Sequence, residues 1–253
     1  MIKWKLMLTS IPYMLAVIAV NYLLSNVFGF EGFIEFADVG LVLTGGIFLI
    51  GFMLAGTMSD YKESEKLPAE LACTLEALEE TIHTVGVSKP TLDTKKMKVS
   101  LFEVTTDISS WFYKKISYEQ MFASLSKLQS TISQMEEVGA TSYATRMLGE
   151  LNTLRKILSR IGVISRTNFL ATGYALLEAL IFCIIVLLLI SKFKTVLAEY
   201  ILIAFVSLIY VYMYRLIQDI DDPFEYSEEG EPGAAEVPLF PFEEYKERAK
   251  NRL

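Results

Sequence analysis

Three side chains spaced four residues apart stand out in an uncharged stretch of the chain. Thr44, Phe48 and Phe52 lie among the 21 charge-free residues between Asp38 and Asp60. Residues four apart share one face of an α-helix. Side chains on such a face can line a pore, and a hydrophobic constriction can gate a pore by expelling water. The same spacing is also typical of ordinary helix packing, so the residues alone leave both interpretations open.

Small residues occupy other positions of the same stretch. Gly45, Gly46, Gly51 and Gly56 lie beside and behind the three-residue face. Membrane helices pack closely where such residues let their backbones approach. The glycines therefore predict tight packing of this helix against its neighbours.

Two polar side chains interrupt other apolar runs. Glu178 is the one charge between residues 167 and 191, and Asn21 lies in a charge-free run from 6 to 30. An ionisable group inside a membrane is costly and faces protein or water. Glu178 could be protonated, could bond Asn21 or a tyrosine, or could line a cation path. Asn21 is expected to bond a neighbouring helix.

The chain has few residues suited to catalysis or to transition-metal binding. It contains one His and two distant Cys, and it has no phosphate-binding glycine loop followed by Lys and Ser or Thr. It also lacks a nucleophile elbow. We therefore expect no enzyme and no cofactor, apart from the calcium considered below.

Four hydrophobic runs must position these residues. Each is long enough to cross a hydrocarbon core of roughly 30 Å. We predict an all-α membrane protein with spans at about 8–29, 39–59, 168–191 and 196–217. The predicted regions are an N-terminal membrane pair (1–57), a cytoplasmic helical region (58–166), a C-terminal membrane pair (167–217) and an acidic, Pro-rich cytoplasmic tail (218–253).

The basic residues predict an orientation. Most Lys and Arg near the span ends border one side, whereas the 29–38 connection has three acids and no base. Cytoplasmic connections carry an excess of Lys and Arg. We predict an integral protein of a plasma or inner membrane with both termini cytoplasmic; Lys192 and Lys194 are the exceptions to this pattern.

The pattern of apolar residues predicts about four amphipathic helices in the cytoplasmic region 58–166. Pro68 suits the first turn of one, whose apolar stripe is Leu71, Leu75, Leu78 and Ile82. A second stripe comprises Met121, Leu125, Leu128 and Ile132, and Gly139 ends that helix. Residues 58–167 hold 14 acids and 14 bases. This balance argues against a nucleic-acid partner, which requires a basic face.

The tail shows no periodic pattern. Seven acids and no base lie between Asp219 and Glu231, and prolines follow. We expect this tail to be disordered or to extend along a neighbour's surface, with docking favoured by Leu239, Phe240 and Phe242.

Three separated motifs resemble those of the bestrophins. They are GFMLAGTMSDYKESEKLPAEL at 51–71, MLGELNTLRKI at 147–157, and IQDIDDPFEYSEEG at 217–230. The second contains Asn-Thr-Leu-Arg, and the third contains Asp-Pro-Phe followed by acids. Their order relative to four hydrophobic runs matches that family, and the prokaryotic and plant relatives are closer than the animal ones.

The resemblance implies a homopentameric channel for passive conduction of a small ion, with anions slightly favoured over cations. Five copies of the second span would line the pore, and the neck would fall on Thr44, Phe48 and Phe52. Thr44 stands where the family has an apolar residue, so the neck would be wetter at that end. A second, cytoplasmic aperture would fall near Ser142.

The resemblance also raises calcium binding. Animal bestrophins bind calcium with acids that follow the Pro-Phe step, and clustered carboxylates supply the oxygen ligands that calcium requires. The acids available here are Asp219, Asp222, Glu228 and Glu229, at a different spacing. The alternative is an acidic surface that meets Lys3, Lys5 or Arg155. The alternative function is a non-conducting oligomeric membrane scaffold that binds a partner through its cytoplasmic helices and tail.

Overall fold

The structure is a computed structural model that describes residues 4–166, 171–226 and 235–253. The helices in chain order are α1 (Lys5–Tyr22), α2 (Phe36–Ser64), α3 (Leu67–Ser88), α4 (Thr94–Phe112), α5 (Tyr118–Glu137), α6 (Thr141–Ile164), α7 (Ala171–Leu189), α8 (Val196–Asp221) and α9 (Phe240–Asn251). A π-helical turn (Leu23–Val27) follows α1, and two short strands, β1 (Ile34–Glu35) and β2 (Ser191–Lys192), pair in parallel. The expected all-helical class with four apolar spans is confirmed.

The chain divides into two compact units. The membrane unit comprises Met1–Tyr61 and Asn168–Asp222, and the bundle unit comprises Lys62–Thr167 and Pro223–Leu253. Helix α2 begins in the membrane unit and ends in the bundle unit. The charged residues that follow the second hydrophobic run therefore continue the same uninterrupted helix.

The membrane unit has a thin apolar core. Its buried side chains come from α2, α7 and α8 and include Ile50, Met53, Leu177, Ile184 and Ile203. Many large apolar side chains of its helices remain exposed within the chain. This exposure is expected where lipid or a neighbouring subunit, rather than water, surrounds a helix.

The two connections at one end of the membrane unit are joined by the β1–β2 pair. Ile34 lies opposite Ser191, and the Phe33 amide donates to the Ile190 carbonyl at 3.1 Å. Gly32 makes this approach feasible, because a Cβ there would lie 2.4 Å from the Ser191 carbonyl carbon. The acidic 29–38 connection and the connection containing Lys192 therefore lie side by side.

The bundle unit has the helices that the apolar stripes predicted. Every member of the two stripes, Leu71 to Ile82 on α3 and Met121 to Ile132 on α5, is fully buried. Ser117 caps α5 by accepting from the Gln120 amide, and the Gln120 side chain accepts from the Ser117 amide in return. Gly139 follows α5 with a φ of 70°, a left-handed conformation that favours glycine.

The tail docks through Leu239 and Phe242, as the sequence favoured, whereas Phe240 is exposed. It differs from the expectation in forming a helix, α9, that packs on its own chain. Phe242, Tyr245 and Ala249 are buried against the bundle unit. The Arg252 guanidinium donates to a Glu79 carboxylate oxygen at 2.7 Å, and the Tyr245 hydroxyl donates to the Leu75 carbonyl at 3.3 Å. The stripe at 242, 245 and 249 follows the helical period, but it is too short to have stood out among the prolines.

Candidate pore face and intramembrane polar sites

One face of α2 has no cover within the described part of the membrane unit. Phe48 is 77% exposed and Phe52 is 69% exposed, and Thr44 is also exposed. Leu41 and Ala55 extend this face by one turn in each direction and are exposed too. The structure thus places the three predicted neck residues on one continuous open face.

The opposite face of α2 is closed by α7 and α8. Gly46, Ile50 and Met53 are buried there. The Tyr210 hydroxyl donates to the Leu43 carbonyl at 2.7 Å. A Cβ at Gly46 would lie 2.6 Å from the oxygen of Tyr210, so the absence of a side chain at this glycine allows the contact. These contacts fix the rotation of α2 about its axis and turn Phe48 and Phe52 outward.

The glycine expectation therefore holds for Gly46. A Cβ at Gly45 or Gly51 would have nothing within 4 Å. Both glycines lie beside the open face, where they present backbone rather than a side chain. Within the described residues, no side chain or backbone packs closely against either position.

The Thr44 hydroxyl forms its hydrogen bond within α2. Its Oγ1 donates to the Gly40 carbonyl at 2.9 Å. The group it presents on the open face is therefore an oxygen with acceptor capacity and a methyl group. Thr44 is the polar member of the face, as the sequence indicated.

Glu178 belongs to a polar row between α7 and α8. Its carboxylate accepts from the Tyr214 hydroxyl, and Gln218 Nε2 donates to the same tyrosine oxygen at 2.9 Å. One turn away, the Tyr174 hydroxyl donates to Asp221 Oδ2 at 2.9 Å. Of the alternatives raised for Glu178, the structure shows a tyrosine bond rather than a bond to Asn21.

Asn21 bonds a different acid. Its Nδ2 donates to Glu199 Oε1 at 2.8 Å, and the Ser25 hydroxyl donates to the same oxygen at 3.3 Å. This bond joins α1 to α8, so the predicted interhelical role of Asn21 is confirmed. The sequence assigned no role to Glu199, because its partner lies 178 residues earlier in the chain.

Arg215 is a second residue whose position the sequence did not explain. Its guanidinium carbon lies 5.0 Å from the centre of the Tyr13 ring, a cation–π contact between α8 and α1. The sequence signal was an isolated base directly after the 15 uncharged residues at 200–214.

The predicted calcium residues are only partly described. Asp219 and Asp222 lie at the end of α8, whereas Glu228 and Glu229 fall outside the described residues. Among the residues that the structure describes, no group of three or more His, Cys, Asp or Glu side chains could hold a metal ion. Calcium binding stays a prediction.

Ser142 lies in the first turn of α6 and is exposed. Thr145 and Gly149 continue the same exposed side of that helix. The candidate cytoplasmic aperture therefore lies on an accessible helix face, and its assignment stays a prediction.

Comparison with solved structures identifies the fold. Three crystal structures of a bacterial bestrophin homolog from Klebsiella pneumoniae, two of them of single-substitution mutants, share 14% sequence identity with this chain. The TM-scores are 0.73, 0.74 and 0.75, and the alignments cover 98% of this chain and 97–98% of the others. The chain has the bestrophin fold. The resemblance read from the three motifs is thus confirmed at the level of the fold.

The bestrophin fold is supported by structure rather than by overall sequence likeness. No protein-family model and no curated protein matches the sequence. The fold and the four apolar helices together identify an integral membrane protein.

Proposed function

We propose that this chain assembles with copies of itself into a membrane channel that conducts small ions passively, with α2 lining the pore. The observation that carries this proposal is the open face of α2. This face bears two phenylalanines, and the opposite face of the helix packs against α7 and α8. The open face is therefore suited to face an axis around which several copies assemble. The bestrophin fold supports the same arrangement, and we propose a homopentamer on the strength of that resemblance.

Phe48 and Phe52 would form the neck of the pore. They are one turn apart, so copies around an axis would present two successive apolar rings. Such a constriction conducts when it is wet and closes when water leaves it. Thr44, one further turn along, would place a ring of acceptor oxygens at the end of the neck nearer to Asp38.

Two considerations bear on the sign of the permeant ion. The bestrophin resemblance slightly favours anions. The chain itself offers the acids Glu31, Glu35 and Asp38 at one end of α2 and the Thr44 oxygen within the face, and acceptor oxygens stabilise cations. Cation conduction is therefore the second candidate, and the reversal potential under a salt gradient distinguishes the two.

The remaining parts of the proposal follow the sequence expectations. Both termini and the bundle unit would be cytoplasmic, in a plasma or inner membrane. Ser142 would line a second aperture in the bundle unit. Calcium would bind through the acids at the end of α8 and in the segment that follows it.

The test is ion flux through purified protein in liposomes. Phe52→Ala is expected to raise the flux several-fold, because a smaller side chain widens and wets the neck. Thr44→Leu is expected to lower it, because it adds a third apolar ring. Phe182→Ala is the matched control: Phe182 on α7 is also 69% exposed, but it does not lie on α2.

The outcome separates the channel from the scaffold. Flux that responds to Phe52→Ala and not to Phe182→Ala supports the proposed pore. Absence of flux under any ion gradient, with and without calcium, would favour the non-conducting scaffold that binds a partner through its cytoplasmic helices and tail. Equal changes in flux for Phe52→Ala and Phe182→Ala would show that α2 does not line the pore.

A further inference from the structure

Two opposite charges lie in the spans of the membrane unit and have no ion-pair partner among the residues that the structure describes. Glu178 is exposed on α7, and its described bond is to the neutral hydroxyl of Tyr214. Arg215 on α8 is half-buried over the ring of Tyr13. Among the described residues, neither side chain forms a salt bridge.

The hydrogen bonds between α7 and α8 place the two charges at similar depth. The Tyr174 side chain reaches Asp221 and the Tyr214 side chain reaches Glu178, so these turns of the two helices lie side by side to within about the length of a tyrosine side chain. Arg215 is the residue after Tyr214, about 1.5 Å further along the helix. The carboxylate and the guanidinium therefore belong to the same layer of the membrane unit.

The two charges nevertheless face different directions. Successive residues of an α-helix are about 100° apart around its axis. Tyr214 points to α7 and Glu178, whereas Arg215 points to Tyr13 on α1. One subunit thus presents an acid on one side and a base on another, at similar depth.

Lipid is a poor environment for both groups. Ionisable side chains within a membrane are rare, and they pair with one another or face water or protein. A guanidinium that stacks flat on an aromatic ring keeps its in-plane N–H groups available, and a carboxylate accepts two of them side by side. Among the described residues, Arg215 is the base that directly follows the uncharged run at 200–214, and it lies near the end of the fourth span.

We infer that Glu178 of one copy forms an intramembrane ion pair with Arg215 of the adjacent copy. The contact joins two different faces, so it is head-to-tail, the kind of contact that closes into a ring when repeated. Each of these two faces contacts a second copy of this chain, because the two charges are opposite in sign and lie at similar depth. The inference rests on the self-assembly in the proposed function, but it does not depend on ion conduction.

The test is charge reversal read out by native mass spectrometry of detergent-purified protein. Glu178→Arg alone and Arg215→Glu alone are each expected to lower the assembled fraction by about tenfold or more, because each sets like charges against one another at low dielectric. The double reversal restores opposite charges and is expected to recover the assembly.

The matched control places an arginine elsewhere on α7. Leu176 is exposed, two residues from Glu178 and on another side of the helix. Leu176→Arg combined with Arg215→Glu is expected to give no recovery. Recovery in this combination would mean that net charge, and not the pair, controls assembly, and it would overturn the inference.

A second measurement covers variants that fail to fold. In a Cys73→Ser, Cys183→Ser background, chains carrying Glu178→Cys are mixed with differently tagged chains carrying Arg215→Cys and treated with a short bis-maleimide, whose spacer covers the distance that the two long side chains spanned. Cross-links joining the two tags support the pairing. An intact oligomer with no such cross-link and no effect of either reversal would refute the pairing and leave the channel proposal standing, whereas a monomeric protein would refute both.

Discussion

Gly46 sets the packing of α2 at the scale of one residue. The Tyr210 hydroxyl and the Ile184 side chain pack directly against this glycine. A Cβ added at Gly46 would lie 2.7 Å from Cδ1 of Ile184. Gly45, the next residue back, has open space. Two adjacent glycines with the same sequence context thus have different roles, and the difference comes from the helices packed against one of them.

Gly46→Ala is expected to destabilise the membrane unit by about 1–3 kcal/mol, the usual cost of overpacking a closed site. The measurement is thermal unfolding in detergent. Gly45→Ala is the control and is expected to leave the unfolding temperature nearly unchanged. Equal effects of the two substitutions would show that backbone flexibility, rather than packing against Tyr210, explains the loss.

Helix α9 is a short, mostly polar segment that is held against its own chain. Its buried stripe consists of Phe242, Tyr245 and Ala249. Two ion pairs reinforce the contact, Arg252 with Glu79 at 2.7 Å and Arg248 with Glu76 at 3.5 Å. The Arg248 pair is exposed on both sides and contributes little. Glu79 is more buried, so its pair with Arg252 contributes more, but the buried apolar stripe accounts for most of the docking.

Phe242→Ala is expected to release α9 at a cost of about 3–5 kcal/mol, since Phe242 is 0% exposed. Limited proteolysis of the C-terminal segment measures the release. Phe240→Ala removes the same ring from a site that is 62% exposed and is expected to leave the protease resistance intact. Resistance that survives Phe242→Ala would contradict the docking of α9.

Docking of α9 is also expected to weaken at high pH. Burial, and next the negative charge of Glu79, raise the pKa of Tyr245 above its usual value. Below a pH of about 10 the tyrosine is neutral whether α9 is docked or free, so docking does not depend on this group. As the pH rises above that value, the free state ionises first, and docking weakens by up to about tenfold per pH unit. Tyr245→Phe should remove this dependence in a proteolysis series; an unchanged series would assign it to another group.

The distribution of charge between the ends of the spans describes the molecule as a whole. The basic residues that border the bundle unit predict that this unit is cytoplasmic. On that prediction, the paired connections containing Glu35 and Lys192 would lie on the non-cytoplasmic side. Lys192 and Lys194 are two bases on the side that should have few, so the orientation calls for a direct measurement.

Thiol labelling tests the orientation. Cys73 is exposed on α3 of the bundle unit, and Lys194→Cys places a second thiol in the connection before α8, with Cys183 replaced by Ser. A membrane-impermeant maleimide added to intact expressing cells is expected to label the thiol at position 194 and to leave Cys73 unlabelled until the cells are opened. The reverse pattern would invert the predicted topology.

The sequence by itself determined the features that depend on local pattern. The length of each uncharged run sets the number of spans, because a hydrocarbon core of fixed thickness requires about 20 apolar residues. The stripes of α3 and α5 follow the helical period, so their buried residues could be named in advance. The common face of Thr44, Phe48 and Phe52 follows from the same period.

Only the tertiary structure decided which partner each of these residues meets. Glu178 bonds Tyr214 and Asn21 bonds Glu199, and in both cases the partner is distant in sequence and chosen by how helices cross. Likewise, α2 exposes its phenylalanine face because Tyr210 and Ile184 pack against Gly46 on the opposite face. Helix α9 is held in place because α3 and α4 provide an apolar surface for it. The period of a helix fixes which side chains share a face, whereas the direction in which that face points depends on contacts between residues far apart in the chain.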